Sequence, residues 1–474
     1  MQRAMFLRQK RTSHSVAADI LKRNHSVMAH IEMQDLPPNN SLWADGYKQS
    51  GKQAEFSNSY DVAIIGGGFS GLWSAYHLLE LDPKLSIVIF EAKSLGYGAS
   101  GRNGGWVSSD YPVYRKTLEK RHGIDSTNNL FKALFSAIDE IGQIAGQIAP
   151  KASFVKSGTL MFARNKAQEK RLKESVDSEH TWKSAGEIGE LIKVSKLRGG
   201  LFNPQCATVD PFQLVLGLAR YLERRGVVIA EGVFATHTDL GVLANSSLVK
   251  APIVIRASEA FSDPGREFIP LYSLMIASEV LPEEIWDQIG VKNRFTFAEG
   301  THLVNYAQRT TDNRLAIGGR GASYPFGSKL IEAKEMTNSV HQSLERMAKR
   351  WFPVLESVKF THAWGGAVAI TRNWEPYVQF DKATGYGRLG GYAGDGVTMS
   401  YLASKILAEL ITGRESEISN LHFVNDKIRN WEIEPLRYLA VNSLVKLSGI
   451  ADKEEARTGR PSLVSKLISP LILR

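Results

Sequence analysis

The chain has little cysteine: among its 474 residues there is one, Cys206. A single thiol cannot close an intramolecular disulfide, so a disulfide framework and a zinc site built from cysteines are both excluded. No uninterrupted apolar run reaches the ~18 residues that a membrane-spanning helix needs. These absences predict a soluble protein without a transmembrane span, in a reducing compartment such as the cytoplasm.

The chain also lacks a concentrated block of charge. Its 58 lysine and arginine residues exceed its 49 acidic residues by a net charge of +9, and the excess is spread along the sequence. A scattered excess supports nucleic-acid binding only weakly, whereas it suits an enzyme that handles an anionic cofactor or substrate. We therefore expect a small-molecule partner and no nucleic acid.

The N-terminal segment has no apolar core of the kind that a secretory signal carries. Its basic residues outnumber its single acid, Asp19, over the first 28 positions. We expect residues 1–41 to form a flexible basic arm, with organellar targeting left open, and Pro37-Pro38 to mark the break before the folded body.

A nucleotide-binding pattern begins at residue 61. An apolar strand, 61–65, runs into a G-x-G-x-x-G turn, then into a helix with apolar residues at i, i+3, i+4 and i+7, and then into a second strand that ends at Glu91. The glycines permit a tight turn and a close approach of backbone to a pyrophosphate at the helix N-terminus, and the acid can accept ribose hydroxyls. The candidate binding residues are Gly66, Gly68, Phe69, Ser70, Gly71, Glu91 and Ala92.

Two more glycine-rich loops bear on whether the bound nucleotide is NAD or FAD. The first, at 98–105, stands where a classical NAD domain would continue with a helix, and the second, at 388–398, leads into a helix that Gly413 should end. The positive N-terminus of that helix would point at whatever the loop holds. The candidate residues are Ala99, Ser100, Gly101, Arg102, Asn103, Gly104 and Gly105, then Gly391, Tyr392, Gly394, Asp395, Gly396, Val397 and Thr398.

With these loops the sequence resembles the D-amino-acid-oxidase-like flavoproteins, which include glycine oxidase and sarcosine oxidase. The loop 98–105 is most similar to that of gamma-glutamylputrescine oxidase and the aminophosphonate oxidoreductases, and the resemblance runs from about residue 42 to the end. It implies non-covalent FAD, and hydride transfer from a C–N bond to flavin N5 with oxygen as the acceptor and hydrolysis of the resulting imine. One departure stands out: Ala257-Ser258-Glu259 replaces the Ala-Thr-Gly that the family more often shows, which puts a close approach of backbone to the flavin in doubt there.

The resemblance also implies an α/β fold, α+β overall. A Rossmann-like FAD-binding domain would be built from the discontinuous segments 42–115, 205–264 and 362–413, and a substrate domain with a mostly antiparallel sheet from 116–204 and 265–361. The first substrate segment has a helical apolar pattern, and 303–309 with 314–320 predicts a hairpin. Residues 414–474 would form a helical tail that packs on the body or, alternatively, lies on a membrane or a partner.

No catalytic side chain and no metal site is predicted, since the flavin performs the chemistry in such enzymes. The candidate substrate contacts are Tyr272, Tyr306, Arg320 and Trp364, of which Arg320 could bind a carboxylate or phosphonate bidentately. A flavin monooxygenase or halogenase using NAD(P)H, suggested by Gly394-Asp395, and a non-catalytic RNA-associated flavoprotein stay as alternatives. The substrate, the electron acceptor, a histidine link to the flavin and the oligomeric state are left open.

Overall fold

The computed structural model describes residues 41–47 and 55–468. The predicted arm, except residue 41, and the last residues of the tail lie outside this part of the chain. The strands are β1 (Val62–Ile65), β2 (Ile87–Glu91), β3 (Trp106–Ser108), β4 (Val155–Lys156), β5 (Thr159–Ala163), β6 (Thr181–Ser184), β7 (Gly199–Asn203), β8 (Cys206–Thr208), β9 (Val228–Glu231), β10 (Ala235–Thr238), β11 (Gly241–Ala244), β12 (Ser247–Lys250), β13 (Ile253–Arg256), β14 (Phe268–Ser278), β15 (Thr296–Glu299), β16 (Asn305–Arg309), β17 (Leu315–Arg320), β18 (Phe360–Thr371), β19 (Tyr377–Asp381) and β20 (Tyr386–Gly390). The α-helices are α1 (Phe69–Leu81), α2 (Arg115–His122), α3 (Ile124–Ile148), α4 (Lys166–Glu174), α5 (Ala185–Gly189), α6 (Pro211–Arg224), α7 (Glu283–Ile289), α8 (Asn338–Trp351), α9 (Gly396–Thr412), α10 (Leu436–Thr458) and α11 (Leu463–Ile468).

A six-stranded sheet in the order β19-β20-β13-β1-β2-β9 forms the first layer. All neighbours from β20 to β9 are parallel, and only β19 is antiparallel. Both faces of β1 are covered, because Val62 and Ile64 face the helices whereas Ala63 faces the antiparallel sheet of β10, β11 and β12. Burial on both faces explains why the strand is an almost continuous apolar run. Strands β1 and β2 confirm the strands predicted at 61–65 and 87–90.

Helices α1, α6 and α9 are among the elements that cover one face of this sheet. The amphipathic pattern of residues 211–225 predicts a helix, and α6 is found there. It begins with Pro211 and is capped by Asp210, whose side chain accepts a hydrogen bond from Gln213 N. Helix α9 ends at Gly413 with φ +70°, as its sequence predicted. The fold is therefore α/β in this half of the molecule.

An eight-stranded sheet in the order β18-β14-β17-β16-β15-β5-β7-β6 forms the second half. All of its neighbours are antiparallel except β15 and β5. The predicted hairpin is confirmed as β16 and β17, which pair Asn305 with Gly319 and Arg309 with Leu315. The mixed architecture is α+β overall, as expected.

The segment 116–204 is less helical than its pattern indicated. It contains α3 and α4, but also β5 and β7, which extend the large sheet. A short apolar run such as Thr159–Ala163 fits a strand as well as a helix, so periodicity alone could not decide between the two. Strand β18 belongs to the same large sheet, although it begins the segment assigned to the cofactor domain.

The described part of the tail packs against the body. Trp431 Nε1 donates a hydrogen bond to Ile370 O at 2.9 Å. Glu455 on α10 accepts hydrogen bonds from Arg171 Nη1 at 3.0 Å and from His302 Nε2 at 2.9 Å. Among the described helices there is none with the length and apolarity to cross a membrane.

The Glu455 cluster generates a prediction about stability. Burial raises the pKa of Glu455, but the hydrogen bonds from His302 and Arg171 outweigh burial and lower that pKa to about 2. A carboxyl whose pKa is lower in the folded chain contributes stability above its unfolded pKa of about 4.3, and this contribution is lost as the pH falls toward 2. Glu455→Gln should therefore lower the free energy of unfolding at pH 7 by about 2 kcal/mol, and the difference from the wild type should shrink below pH 4.

Urea unfolding between pH 3 and pH 7 measures this difference. Glu417→Gln is the control, because Glu417 pairs with Lys132 at the surface, where both side chains are mostly exposed, and it should change little. An equal loss for both variants, or a loss for Glu455→Gln that does not depend on pH, would contradict the assignment.

Candidate functional site

A cavity of about 830 Å³ lies at the carboxyl ends of β1, β2 and β13. Parallel strands bring their carboxyl ends to one edge of the sheet, which is where α/β proteins bind ligands. Thirteen of the predicted cofactor residues line this cavity: Gly66, Gly68, Phe69, Ser70, Glu91, Ala92, Ala99, Ser100, Asn103, Tyr392, Gly394, Gly396 and Val397.

Side-chain hydrogen bonds join the three glycine-rich loops directly. Ser100 Oγ accepts a hydrogen bond from Phe69 N at 2.8 Å, which ties the second loop to the start of α1. The Ser70 and Tyr392 hydroxyls are hydrogen-bonded at 2.8 Å, which ties the third loop to the same helix turn. The second loop, 31 residues away at Ser100, and the third loop, 322 residues away at Tyr392, therefore meet the first loop at one end of α1.

Close packing at the first loop requires glycine at two positions. Gly66 has φ +117°, and a Cβ there would lie 2.6 Å from the carbonyl oxygen of Ala257. A Cβ on Gly71 would collide with the carbonyl oxygen of Gly66. Gly71 does not line the cavity; it lets α1 start directly against the turn, as the motif predicted.

Glu91 at the end of β2 holds the adjoining backbone. Its Oε2 accepts a hydrogen bond from Gly67 N and its Oε1 one from Lys93 N, both at 2.8 Å. Burial raises the pKa of Glu91 to about 6, against the opposing effect of these N–H groups. The carboxylate therefore shapes the first loop and also lines the cavity.

The third loop leads into α9, which begins without a side-chain cap, as does α1. Helix N-termini attract negative charge through their N–H groups. Thr398 does not line the cavity, but its buried Oγ1 has no hydrogen-bond partner within the described residues. An unpaired buried hydroxyl is costly, so this turn of α9 is suited to a polar ligand group.

Several predicted cofactor residues do not line the cavity but make contacts that hold the loops in place. Arg102 Nη1 binds Glu335 Oε2 at 2.6 Å and Gly365 O at 3.1 Å. Gly101 accepts a hydrogen bond from Ser41, and Asp395 is the N-cap residue of α9. Gly104, Gly105 and Gly391 pack closely against Tyr306, Gln308 and Thr371, respectively.

The four predicted substrate residues do not line the cavity, and they have different surroundings. Trp364 is fully buried and donates from Nε1 to Arg102 O, and the Tyr272 hydroxyl accepts a hydrogen bond from Ile331 N. The Tyr306 hydroxyl is bonded to Ser273 Oγ at 2.8 Å. Arg320 comes nearest the cavity, since it donates to Ala393 O and a Cβ on the cavity residue Gly394 would lie 2.9 Å from its Nη2.

The structure adds cavity residues that the motifs did not include. Arg256 ends β13, and Ser258 and Glu259 follow it, so strand order at the carboxyl edge could have placed them there. The others come from the segment around β10, from 261–263 at the end of the 3₁₀ turn that begins at Glu259, and from β18, β20 and α9, and no local pattern marked them as cavity residues. They include Val233, Phe234, Thr236, His237, Asp239, Phe261, Ser262, Asp263, Ala367, Val368, Tyr386 and Ser400.

Two groups of three metal-type ligands occur among the described residues. In one, His122 and His422 each lie 3.1 Å from Glu375 Oε2, and Arg121 binds the other carboxylate oxygen at 2.8 Å. The two imidazole rings are stacked at 3.9 Å and 14°, and both Nε2 atoms already have the same carboxylate oxygen, Glu375 Oε2, as their partner. The group is therefore an ion-pair network in this geometry. The second group, Asp177, Glu179 and His180, lies within a single turn.

The cavity fits a long, jointed anion such as a flavin dinucleotide. Its wall contains a buried acid beside a tight glycine turn, the uncapped first turns of α1 and α9, and Tyr392 and Gly394 of the third loop. The overall arrangement is that of a flavoenzyme with a parallel-sheet domain and an antiparallel-sheet domain. Glycine oxidase from Geobacillus kaustophilus shares this fold with a TM-score of 0.64 at 17% identity, over 78% of this chain and all of that one.

The chain belongs to the family of FAD-dependent oxidoreductases, whose model matches residues 61–410. It is 28% identical to gamma-glutamylputrescine oxidoreductase of Escherichia coli over 74% of this chain and 84% of that protein. It is 23% identical to sarcosine oxidase subunit beta of Rhizobium meliloti over 72% and 80%. The predicted resemblance is therefore confirmed: the protein is an enzyme whose family cofactor is FAD.

Gly71→Ala tests the first loop. The added methyl group would meet the Gly66 carbonyl and push α1 away from the turn, a strain of about 1–3 kcal/mol. We expect the Kd for FAD to rise by between about fivefold and about 150-fold, measured by quenching of flavin fluorescence.

Gly146→Ala on α3 is the matched control, because a Cβ there meets nothing within 4 Å. It should leave the Kd unchanged and stabilise the helix by about 0.5–1 kcal/mol. Equal FAD binding by both variants would rule out the tight turn as a binding element.

Proposed function

We propose that the protein oxidises the C–N bond of an amino acid, an amine or an aminophosphonate, with FAD as the redox group and without a metal or a catalytic side chain. The observation that carries this proposal is the meeting of three glycine-rich loops at one cavity, in a chain of the FAD-dependent oxidoreductase family. Relatives named for a putrescine derivative and for sarcosine support a substrate with an amino group.

When bound, FAD would supply the redox chemistry, as the acceptor of a hydride from the substrate carbon at N5 with oxygen as the final electron acceptor, and the imine product would be hydrolysed. The chain's own part is to bind, to orient and to stabilise charge. The first loop and α1 would hold the pyrophosphate with backbone N–H groups, and Glu91 would accept the ribose hydroxyls. The third loop and the N-terminus of α9 would stabilise negative charge on the flavin ring.

Arg320 is the proposed anchor for an acidic group of the substrate. Its guanidinium lies 5.5 Å from the ring centroid of Trp374 and beside the third loop at Ala393. A guanidinium held by an aromatic face and a carbonyl is positioned for a carboxylate or phosphonate. Tyr306, Tyr272 and Trp364 stay proposed residues of the substrate side, and Tyr306 is the one of the three that interacts electrostatically with Arg320.

Non-covalent attachment of FAD is part of the proposal. Cys206 is buried in β8, where its Sγ lies 3.3 Å from Thr296 Oγ1 and burial raises the pKa of the thiol far above its usual value. A thiol kept protonated is a poor nucleophile for a flavin link. His237 lines the cavity and is the position at which a histidine link would be looked for. The domain boundaries and a cytoplasmic location stay predictions.

The proposed activity predicts that a primary or secondary amine bleaches the bound flavin. The protein should be mixed anaerobically with amino acids, gamma-glutamyl amines and aminophosphonates while the flavin absorbance is followed, and peroxide should be measured after air is admitted. Loss of the yellow colour with one such class, followed by about one peroxide per turnover, is the expected result. Bleaching by NAD(P)H alone would favour a monooxygenase, and salt-sensitive RNA retention without bleaching would favour a binding protein; either outcome overturns the proposal.

Arg320→Met tests the anchor for acidic substrates. Loss of a charged hydrogen bond of about 1.5–3 kcal/mol should raise KM at least about tenfold for the acidic substrate while kcat changes less. Arg314→Met is the control on the same strand pair, because Arg314 pairs with Asp312 instead. Equal KM values for the two variants would remove Arg320 from the substrate site.

A further inference from the structure

Glu259 occupies a backbone conformation that favours glycine. It follows β13 by three residues, begins a short 3₁₀ turn and has φ +45°. A side chain in the left-handed region is strained, and such residues persist only when their surroundings hold them. The strained backbone at Glu259 therefore carries a carboxyl group in the cavity wall.

The carboxylate of Glu259 connects segments that are distant in sequence. Its Oε2 accepts a hydrogen bond from Ala369 N on β18 at 2.8 Å. The N–H groups of Tyr392 and Gly391 in the third loop, and that of Ala260, also lower the pKa of this carboxyl. The Glu259 carboxyl group thus accepts hydrogen bonds from backbone N–H groups of both β18 and the third loop.

Opposing forces act on the charge of Glu259. Burial raises the pKa of the carboxyl to about 7 despite the N–H groups that face it. The titratable groups that interact with it are Tyr377 on β19 and Tyr392, while Arg256 on β13, Arg388 and Glu267 act on the same cluster through Tyr377. Near neutral pH, protonated and ionised forms are both accessible, so a new charge close by can decide between them.

We propose that Glu259 is a positioning residue for the flavin: its carboxylate sets the backbone donors of the third loop, and it takes up a proton from solvent when the bound cofactor is reduced. This inference rests on the proposed function, because it requires the flavin ring to lie against the third loop. Reduction adds negative charge to the ring, and a like charge nearby favours the protonated carboxyl.

The proton balance of the proposed step is complete. Two electrons and one proton enter the cofactor, as one hydride from a substrate or as electrons and a solvent proton from a chemical reductant. One further proton moves from solvent to the Glu259 carboxylate, and no bond to carbon changes in that second transfer. Reduction above neutral pH should therefore consume two protons for two electrons, against one if Glu259 does not respond.

The experiment is a redox titration of the FAD-loaded protein with dithionite and a reference dye between pH 6 and pH 9.5. It needs no substrate, so its outcome is independent of which amine the enzyme oxidises. In the wild type, the pH dependence of the midpoint potential should steepen from one proton to two protons per two electrons above pH 7. A slope of one proton throughout would overturn the proposal, even if every variant failed to fold.

Three variants separate the charge from the packing. Glu259→Gln keeps an acceptor for Ala369 N but cannot titrate, so its slope should stay at one proton per two electrons. Glu259→Gly relieves the strain at φ +45° and loses the acceptor, so it should share that slope and also bind FAD more weakly. Glu231→Gln is the control, because Glu231 is also a carboxyl at a strand end that accepts a backbone hydrogen bond, from Leu95 N, with a pKa raised first by burial.

The control should keep the wild-type slope. A slope of two protons in Glu259→Gln would overturn the role of this carboxyl, as would a loss of the second proton in Glu231→Gln. If no amine bleaches the flavin but the slopes behave as described, the proposed reaction fails while the flavin contact of Glu259 stands.

Discussion

The structure depends on the meeting of three distant loops at the first turn of α1. The link is made by short hydrogen bonds, Phe69 N to Ser100 Oγ and Ser70 Oγ to Tyr392 OH. It is extended by Ser404 Oγ, which donates to Ser70 O at 3.0 Å and so fixes α9 along α1. Because Ser70, Ser404 and Tyr392 are buried, these bonds form in a medium where unpaired polar groups are costly. The edge of the sheet is thereby shaped as one binding surface.

Local patterns in the sequence predicted the nucleotide-binding half well. The first strand, its glycine turn and α1 lie within about 20 residues, where glycine chemistry and helical periodicity are sufficient. The same holds for α6, for α9 with its end at Gly413, and for the hairpin of β16 and β17. The strands in 116–204 were harder to predict. Short apolar runs have no periodicity that distinguishes a strand from a helix, and β5 pairs with β15 from a distant part of the chain.

The cavity beyond the motifs could not be predicted from local patterns. His237 and Tyr386 come together as tilted rings at 4.3 Å because the three-stranded sheet that contains β10 packs against the six-stranded sheet that contains β20. The departure at Glu259 was visible in the sequence, but its partner Ala369 lies 110 residues later. The positions of Trp364 and Tyr272 could not be predicted for the same reason. Each lies in a segment expected near the substrate, but its place is set by the register of β14 and β18, which pairs Met275 with Trp364.

The central claim is that all three loops hold one FAD, and a double-mutant cycle on FAD affinity tests it most directly. Ser100→Ala and Tyr392→Phe each remove one of the two linking hydrogen bonds, in different loops. The account predicts one FAD per chain, a raised Kd for each variant, and a double variant whose loss differs from the sum because both bonds act on the same turn. A colourless protein that binds no added FAD, or an unchanged Kd for Tyr392→Phe, would contradict it.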